Sequence, residues 1–288
     1  MDRLGIARAL AWQTAARDQH PIPGNRQLLE AKKTSGSRAE VLLTNAWWQG
    51  GAMTQDQAAK DTPMDFGDLT PERNGVVDIY YARNMMDHRL RLYDSFARLP
   101  RFRVDEGLLA GQCREAATGQ YLENAIPWSR FRDYDVQIYA DIPHCAVGVS
   151  NSYALIDYVK AGGGVLFTGG MYAFGRGAYE DTVLDRELLP VVIPALADTR
   201  IVRDPLVLEP GPDFGELGVS ADFAAKPAFW CWNEVALREG AGVQVFLKAG
   251  NRPILVGWPM GKGRAACLLA THRGKSNNEV TAFFDWND

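Results

Sequence analysis

The sequence contains few cysteines, and no pattern links them. Its 288 residues include four, at Cys113, Cys145, Cys231 and Cys267, and no two of them form a Cys-x-x-Cys pair. Zinc knuckles and disulfide frameworks both depend on characteristic cysteine spacings. The sequence therefore favours a reducing compartment and predicts neither a structural zinc site nor a disulfide framework.

Long hydrophobic runs are also missing. The longest apolar segments, such as 164–167 and 265–270, are far shorter than the ~20 residues that cross a bilayer. At the N-terminus, Arg8 interrupts the residues that would have to form the apolar part of a signal peptide. We expect a cytoplasmic protein that does not bind or cross a membrane.

The chain has no excess of basic charge and no cluster of histidines. Thirty-one Lys and Arg residues against 35 Asp and Glu give a net charge of −4, whereas binding to a phosphate backbone usually requires a basic surface. The four histidines are far apart, without the spacing of a metal site: His20, His88, His144 and His272. We expect no nucleic-acid partner, no metal and no other cofactor.

What is present is a regular pattern of strands and helices after residue 75. Segments 76–81, 135–140 and 165–168 read as buried strands, and helical patterns lie between them. Strands that are apolar throughout and alternate with helices are typical of a parallel sheet covered on both faces. Segments 243–248, 253–258 and 265–271 are separated by glycine-containing turns, which predicts an antiparallel extension of that sheet.

The first 75 residues follow no such pattern. Residues 49–74 are rich in Gly, Asp, Thr and Pro and show no sustained period, which is typical of a long loop or an insertion. We therefore divide the chain into an N-terminal arm, residues 1–75, and a single α/β domain, residues 76–288.

Several segments of the domain recur, in the same order, in a known family: 134–142, 158–170, 174–175, 188–191, 253–257, 261–264, His272 and 283–286. Together they resemble the class I glutamine amidotransferase-like proteins, in particular an uncharacterised group among them. The resemblance implies a flavodoxin-like three-layer α/β sandwich with a mostly parallel central sheet and an antiparallel C-terminal extension. It also implies a site at the carboxyl ends of the parallel strands. Similar proteins continue into a closing helix, so we expect a shortened C-terminus.

The resemblance does not extend to the catalytic residues. Active members hold a cysteine on the sharp turn after a central strand, but the matching turn here, 168–172, reads Thr-Gly-Gly-Met-Tyr. His272 stands where the family has its later histidine, but Gly274 replaces the acidic partner. Glutaminase activity is therefore not expected. The leading hypothesis is a catalytically degenerate domain that binds a small ligand or a protein partner.

The ligand-binding residues we predict surround the same turn: Gly169, Gly170, Met171, Tyr172, Phe174 and Arg176, together with His144. Backbone N–H groups of a glycine turn and a guanidinium suit an anionic or sugar-like ligand. In the alternative interpretation, the glycines only permit a tight turn and Phe174 packs in the core.

Two further hypotheses remain open. In the first, Cys145 is the nucleophile of a hydrolase or amidotransferase, with His272 or His144 as its base and Asp141 orienting that base. A buried, unreactive Cys145 is the competing interpretation. In the second, the aromatic segment 229–232 and the N-terminal arm bury themselves between subunits of a homo-oligomer, although core packing explains such aromatic residues equally well.

Overall fold

A computed structural model of the chain describes residues 65–67, 69, 75–84, 92–108, 113–114, 121–122, 128–194, 198–240, 242–271 and 273–286. Their strands, in chain order, are β1 Val77–Arg83, β2 Phe102–Leu108, β3 Cys113–Arg114, β4 Tyr121–Leu122, β5 Val136–Ala140, β6 Gly164–Thr168, β7 Val191–Val192, β8 Thr199–Val207, β9 Glu209–Pro210, β10 Pro227–Asn233, β11 Ala236–Leu237, β12 Gln244–Ala249, β13 Arg252–Met260, β14 Gly263–Leu268 and β15 Thr281–Ala282.

Helices are fewer than strands in this part of the chain. The α-helices are α1 Leu92–Ala97, α2 His144–Val147 and α3 Val149–Ala161, and a π-helical turn spans Leu184–Leu188. Short 3₁₀ helices span Trp128–Asp133, Phe214–Leu217, Phe223–Ala225 and Phe283–Asp285.

The centre of the molecule is a ten-stranded sheet with the spatial order β4-β3-β2-β1-β5-β6-β14-β13-β12-β9. Strands β2, β1, β5, β6 and β14 pair with one another in parallel, and β13, β12 and β9 continue the sheet as antiparallel neighbours. The predicted α/β class, with parallel central strands and an antiparallel C-terminal extension, is confirmed. The second antiparallel extension, β3 and β4, was not predicted, because strands of two residues carry no period.

One face of the sheet is covered by α3 and the π-helical turn. Leu155, Tyr158 and Val159 of α3 are fully buried in the same core as Phe167 of β6 and Cys267 of β14. Side chains of a strand alternate between the two faces, so β6 presents Val165 and Phe167 to this helical layer. Burial of this apolar surface fixes α3 against the central strands.

The opposite face is covered partly by a helix and partly by a second sheet. Tyr93 and Phe96 of α1 pack over β1 and β2, whereas the three-stranded sheet β15-β10-β8 packs over the antiparallel half through Phe229 and Trp232. Antiparallel neighbours need no crossover helix, so this half lacks the helical cover that parallel strands bring with them. The predicted sandwich did not include a second sheet. The aromatic residues at 229 and 232 are core residues.

A short segment before the predicted domain also packs on this core. The ring of Phe66 stacks on Phe131 and meets Tyr158 edge-on, and the Leu69 N–H donates to the carbonyl of Ala161 at 3.1 Å. The predicted boundary at residue 75 stays a prediction, and most of residues 1–75 lie outside the described residues. Residues 66 and 69 nevertheless contact the α/β domain.

Candidate functional site

The parallel strands β1, β5 and β6 end at the same edge of the sheet, which we call the carboxyl edge. An open parallel sheet places its ligands at this edge. Asn84 follows β1 directly, and its side-chain amide donates to the backbone carbonyl of Asp141, directly after β5, at 3.1 Å. The hydroxyl of Thr168, at the end of β6, is buried and makes no hydrogen bond to any residue that the structure describes. Polar side chains thus follow or end all three strands.

Asp141 is the central residue of this edge. Its side chain is buried at 1 % exposure, and its φ is +53°, in the left-handed region that aspartate tolerates better than most residues. Its Oδ1 accepts the backbone N–H of Tyr172 at 2.6 Å. A Cβ added to Gly170 would overlap the Asp141 carboxyl group. Asp141, which the sequence suggested as a catalytic orienting group, here holds the turn after β6.

Asn233 and Asp198 hold the same turn from the second sheet. The Asn233 side chain accepts the N–H of Gly170 at 2.9 Å and donates to the Gly170 carbonyl at 3.2 Å and to Asp198 at 2.9 Å. The Asp198 carboxylate also accepts the N–H groups of Gly175 at 3.1 Å and Arg176 at 3.3 Å. Both side chains are buried, and a buried polar group is stable only when it is hydrogen-bonded.

The sequence analysis missed Asn233 and Asp198. Asn233 is the polar end of the otherwise apolar strand β10, and Asp198 precedes the mixed strand β8; a single polar residue at either place is too common to identify a site. Asn233 reaches the carboxyl edge because its neighbour Trp232 bridges to Ala270, just beyond β14. Only the packing of the two sheets brings these side chains to the turn.

Residues 169–181, which we call the β6 loop, contain a concentration of unusual backbone conformations. Phe174, Ala178 and Asp181 have φ values of +48°, +58° and +57°, which cost energy for residues other than glycine. The segment forms turns and bends, and helical structure resumes only at Leu184. In the family resembled, a helix begins directly after the nucleophile turn. Here that helix is missing as well as the cysteine.

The far end of the β6 loop is fixed by a third carboxylate. Asp185 accepts the N–H groups of Asp181 and Ile193, each at 3.1 Å, and lies 3.5 Å from the Arg238 guanidinium. Burial raises the pKa of Asp185, and the two N–H groups and Arg238 act in the opposite direction. The strained loop is therefore anchored along its length by Asp141, Asp198 and Asp185.

The structure distributes the predicted ligand residues unevenly. Phe174 is 1 % exposed and packs against Tyr179 in the core, as the alternative interpretation expected. Gly169 and Gly170 are buried, and Met171 is half-buried. Tyr172, at 49 % exposure, and Arg176 are the exposed members of the group. A ligand that approaches the β6 loop meets these two side chains first.

His144, at the start of α2, is buried at 2 % exposure and contacts the β6 loop. Its Nε2 lies 3.1 Å from the Ser152 hydroxyl, which itself donates to the Gly148 carbonyl at 2.7 Å. Because a hydroxyl has a single proton, Nε2 must be the donor to Ser152. The backbone N–H of His144 donates to the carbonyl of Gly177, and the imidazole ring of His144 meets the ring of Tyr179 edge-on. These contacts join α2 to α3 and to the β6 loop, and the predicted role of His144 in ligand binding stays a prediction.

The predicted catalytic pair is not described by the structure. Cys145 lies in α2, but its side chain is outside the described residues, and so is His272. The pairing of Cys145 with His272 stays a prediction. Cys231, one of the two cysteines whose side chains are described, lies in β10, and the charges of Arg273, Asp141 and Asp198 act on its thiol.

The two cysteines whose side chains are described are buried. Burial raises the pKa of the Cys231 thiol and, more strongly, that of Cys267. A thiol whose pKa is raised by burial is a poor nucleophile at neutral pH, because the thiolate is the reactive form. Neither cysteine therefore replaces the one that is missing from the turn.

Within the described ranges, no group of three or more His, Cys, Asp or Glu residues is placed to hold a metal ion. The same part of the chain contains no helix long and apolar enough to span a membrane. The expected absence of metals, other cofactors and membrane contacts remains a set of predictions.

Known structures resemble this chain in backbone more than in sequence. The cytoplasmic protein STM3548 from Salmonella typhimurium is 18 % identical with a TM-score of 0.54, over 68 % of this chain and 88 % of that one. The cytoplasmic protein STM1381 from Salmonella typhimurium LT2 is 17 % identical with a TM-score of 0.55, over 73 % of this chain and 93 % of that one. No family model and no curated protein matches the chain. At these identities the likeness shows the fold alone.

Proposed function

We propose that the α/β domain is a catalytically degenerate glutamine amidotransferase-like domain that binds a small ligand or a protein partner at its carboxyl edge. The parallel strands support a flavodoxin-like interpretation of the fold. In chain order they are β1, β2, β5, β6 and β14, and their spatial order of second, first, third, fourth and fifth is the flavodoxin-like one. The names of the two Salmonella proteins support a location in the cytoplasm.

The observation that carries the proposal is the contact between Asp141 and Gly170. Any side chain at residue 170 would collide with the Asp141 carboxyl group, so a nucleophile has no room there. The Tyr172 N–H, a donor close to that position, is already bonded to Asp141. A cysteine mechanism needs both an exposed thiolate and free donors for the oxyanion. The turn after β6 contains no cysteine, and its Tyr172 N–H is not free.

Binding, in contrast, suits the exposed side of the β6 loop. Tyr172 and Arg176 project from a loop that three buried carboxylates hold in place. Tyrosine and arginine are the residue types that contribute most to binding sites, and a fixed loop loses little entropy when a ligand binds. The guanidinium suits an anionic group, and the phenol ring suits the face of a sugar or a protein side chain.

The first test is a glutaminase assay on the purified full chain. We expect release of glutamate and ammonia from glutamine no faster than in a buffer blank. Cys145→Ala is the matched variant, and it should behave in the same way. Glutaminase activity that is lost in Cys145→Ala would contradict the proposal and favour the cysteine-dependent enzyme.

The second test locates the binding surface. Ligand-observed NMR with a library of fragments, half of them carboxylates or sugars, should find hits that Tyr172→Ala and Arg176→Ala both weaken at least tenfold. Arg264→Ala is the control, because Arg264 is an exposed arginine at the opposite edge, where β14 pairs with the first residue of β6. Hits that respond to Arg264→Ala, and not to the loop variants, would place the site elsewhere.

A further inference from the structure

We propose that the β6 loop contains an anion-binding site that Asp141 itself occupies, and that a small carboxylate takes the same place when the Asp141 side chain is absent. This inference rests on the proposed function for the position of the site. It adds the chemical class of the group that binds there and the reason why the site is closed in the present structure.

The Asp141 carboxyl group is held against the loop backbone through one of its two oxygens. Oδ1 accepts the Tyr172 N–H at 2.6 Å, and Oδ2 is buried without a hydrogen bond to any residue that the structure describes. The donor belongs to the loop after a central strand, where ligands of open sheets bind. The contact joins residues that are 31 positions apart, so it is not a local turn bond. The carboxyl group therefore fills a position that the loop backbone defines.

Gly170 forms the floor of this position. A Cβ at residue 170 would overlap Cγ, Oδ1 and Cβ of Asp141, so the carboxyl group lies directly against the glycine backbone. Gly170 in turn is held by Asn233, through both its N–H and its carbonyl. These bonds do not involve the Asp141 side chain. The floor is therefore expected to keep its shape when that side chain is removed.

The backbone conformation of Asp141 suits glycine, so its side chain can be removed by substitution. Its φ of +53° strains alanine but not glycine, so Asp141→Gly deletes the carboxyl group without adding backbone strain. The Asn84 bond to the carbonyl of residue 141 remains available in the variant. What is lost is one carboxyl group, and formate is the smallest carboxylate that can replace it.

The ligand competes with Asp141 for one donor, and this sets the expected affinities. In the wild-type chain an external carboxylate binds only in the fraction of molecules in which Asp141 has moved away, which lowers the apparent affinity by that fraction. Asp141→Gly removes the competitor. Asp141→Asn keeps a neutral side chain of the same size in place, so it should exclude the anion as the wild type does.

The test compares sodium formate with sodium chloride at equal ionic strength, using the full chain. For Asp141→Gly, we expect formate to raise the melting temperature by about 2–4 °C more than chloride does, with saturation. Wild type and Asp141→Asn should respond equally to the two salts. Benzoate, which is too large for the space of one carboxyl group, should have no specific effect on Asp141→Gly.

If Asp141→Gly does not fold on expression, the variant is refolded from urea in sodium formate and in sodium chloride, and the yields of folded protein are compared. A higher yield in formate than in chloride supports the site. Equal yields in the two salts, including no folded protein in either, overturn it, as does a formate effect of the same size in wild type and Asp141→Asn. The fragment test with Tyr172→Ala and Arg176→Ala is made with Asp141 in place. The formate experiment can thus fail while the proposed function stands.

Discussion

The two edges of the parallel sheet both carry glycine turns, but different groups pack against the glycines. At the amino edge, where β6 and β14 begin, a Cβ on Gly163 would overlap the ring of Tyr158, and one on Gly263 would overlap the backbone of Gly163. At the carboxyl edge, Gly170 lies against the carboxyl group of Asp141. One edge is closed by an aromatic ring and backbone, and the other by a buried carboxyl side chain.

The two edges therefore differ in what their glycines accommodate. The amino edge gains apolar burial and close backbone approach, which is sufficient reason for its glycines. The carboxyl edge buries carboxylates and holds residues 174, 178 and 181 at positive φ, and both features cost stability. Among the described residues, the non-glycine residues at positive φ that lie beside the central sheet are at this edge and not at the amino edge, and such strain is typical of a binding or catalytic site.

The largest expected effect lies at the amino edge. In Gly163→Ala the new methyl group meets the Tyr158 ring, which is fully buried and is held by a hydrogen bond from its hydroxyl to the Tyr134 carbonyl. Because neither group can move away, we expect a loss of about 3 kcal/mol in the free energy of unfolding, measured by urea denaturation. Tryptophan fluorescence and far-UV circular dichroism would follow the same transition.

The control is Gly215→Ala. No atom lies within 4 Å of the position that its Cβ would take, so this variant should be neutral or more stable by up to about 1 kcal/mol. A loss in Gly163→Ala that is no greater than in Gly215→Ala would show that close packing does not explain the glycines of the amino edge.

A smaller loss is expected at the carboxyl edge, where polar contacts replace packing. Asn233→Ala leaves the Gly170 N–H and the Asp198 carboxylate each without one buried partner, and should lower the free energy of unfolding by about 2 kcal/mol. Hydrogen exchange at Gly170 should become faster. Asn251→Ala, in an exposed turn, is the control and should change stability by less than about 0.5 kcal/mol.

If Asn233→Ala were as stable as Asn251→Ala, with unchanged exchange at Gly170, then the second sheet would not hold the β6 loop. The comparison between the edges would then rest on Asp141 alone.

The smallest expected effect concerns the reactivity of the cysteines and needs no substitution. Iodoacetamide should modify Cys231 and Cys267 far more slowly in the native protein than in urea, because both thiols are buried and their pKa values are raised. Mass mapping gives the rate for each cysteine. Fast native labelling of Cys231 would contradict the burial of its thiol. Selective labelling of Cys145 below pH 7 would instead favour the cysteine-dependent enzyme.

Much of the central sheet could be predicted from the sequence, because each of its longer strands is a local apolar run. The segments predicted at 76–81, 135–140 and 165–168 overlap β1, β5 and β6, and those at 253–258 and 265–271 overlap β13 and β14. The second sheet could not be predicted. Strand β8 mixes exposed Arg and Asp with half-buried apolar residues, and its pairing with β10 contains a bulge that breaks the alternation.

The sequence by itself determined the α/β class, the parallel centre and the absence of a cysteine from the turn at 168–172, because each of these is a local property of the chain. Only the tertiary structure decided that Asp141, Asp198 and Asn233 all bind the β6 loop. The partners of a buried polar side chain are set by which strands and sheets lie next to each other. Hydrogen bonds between residues 23 to 63 positions apart, such as those of Gly175 with Asp198 and of Gly170 with Asn233, cannot be recognised from the local spacing of residues in the sequence.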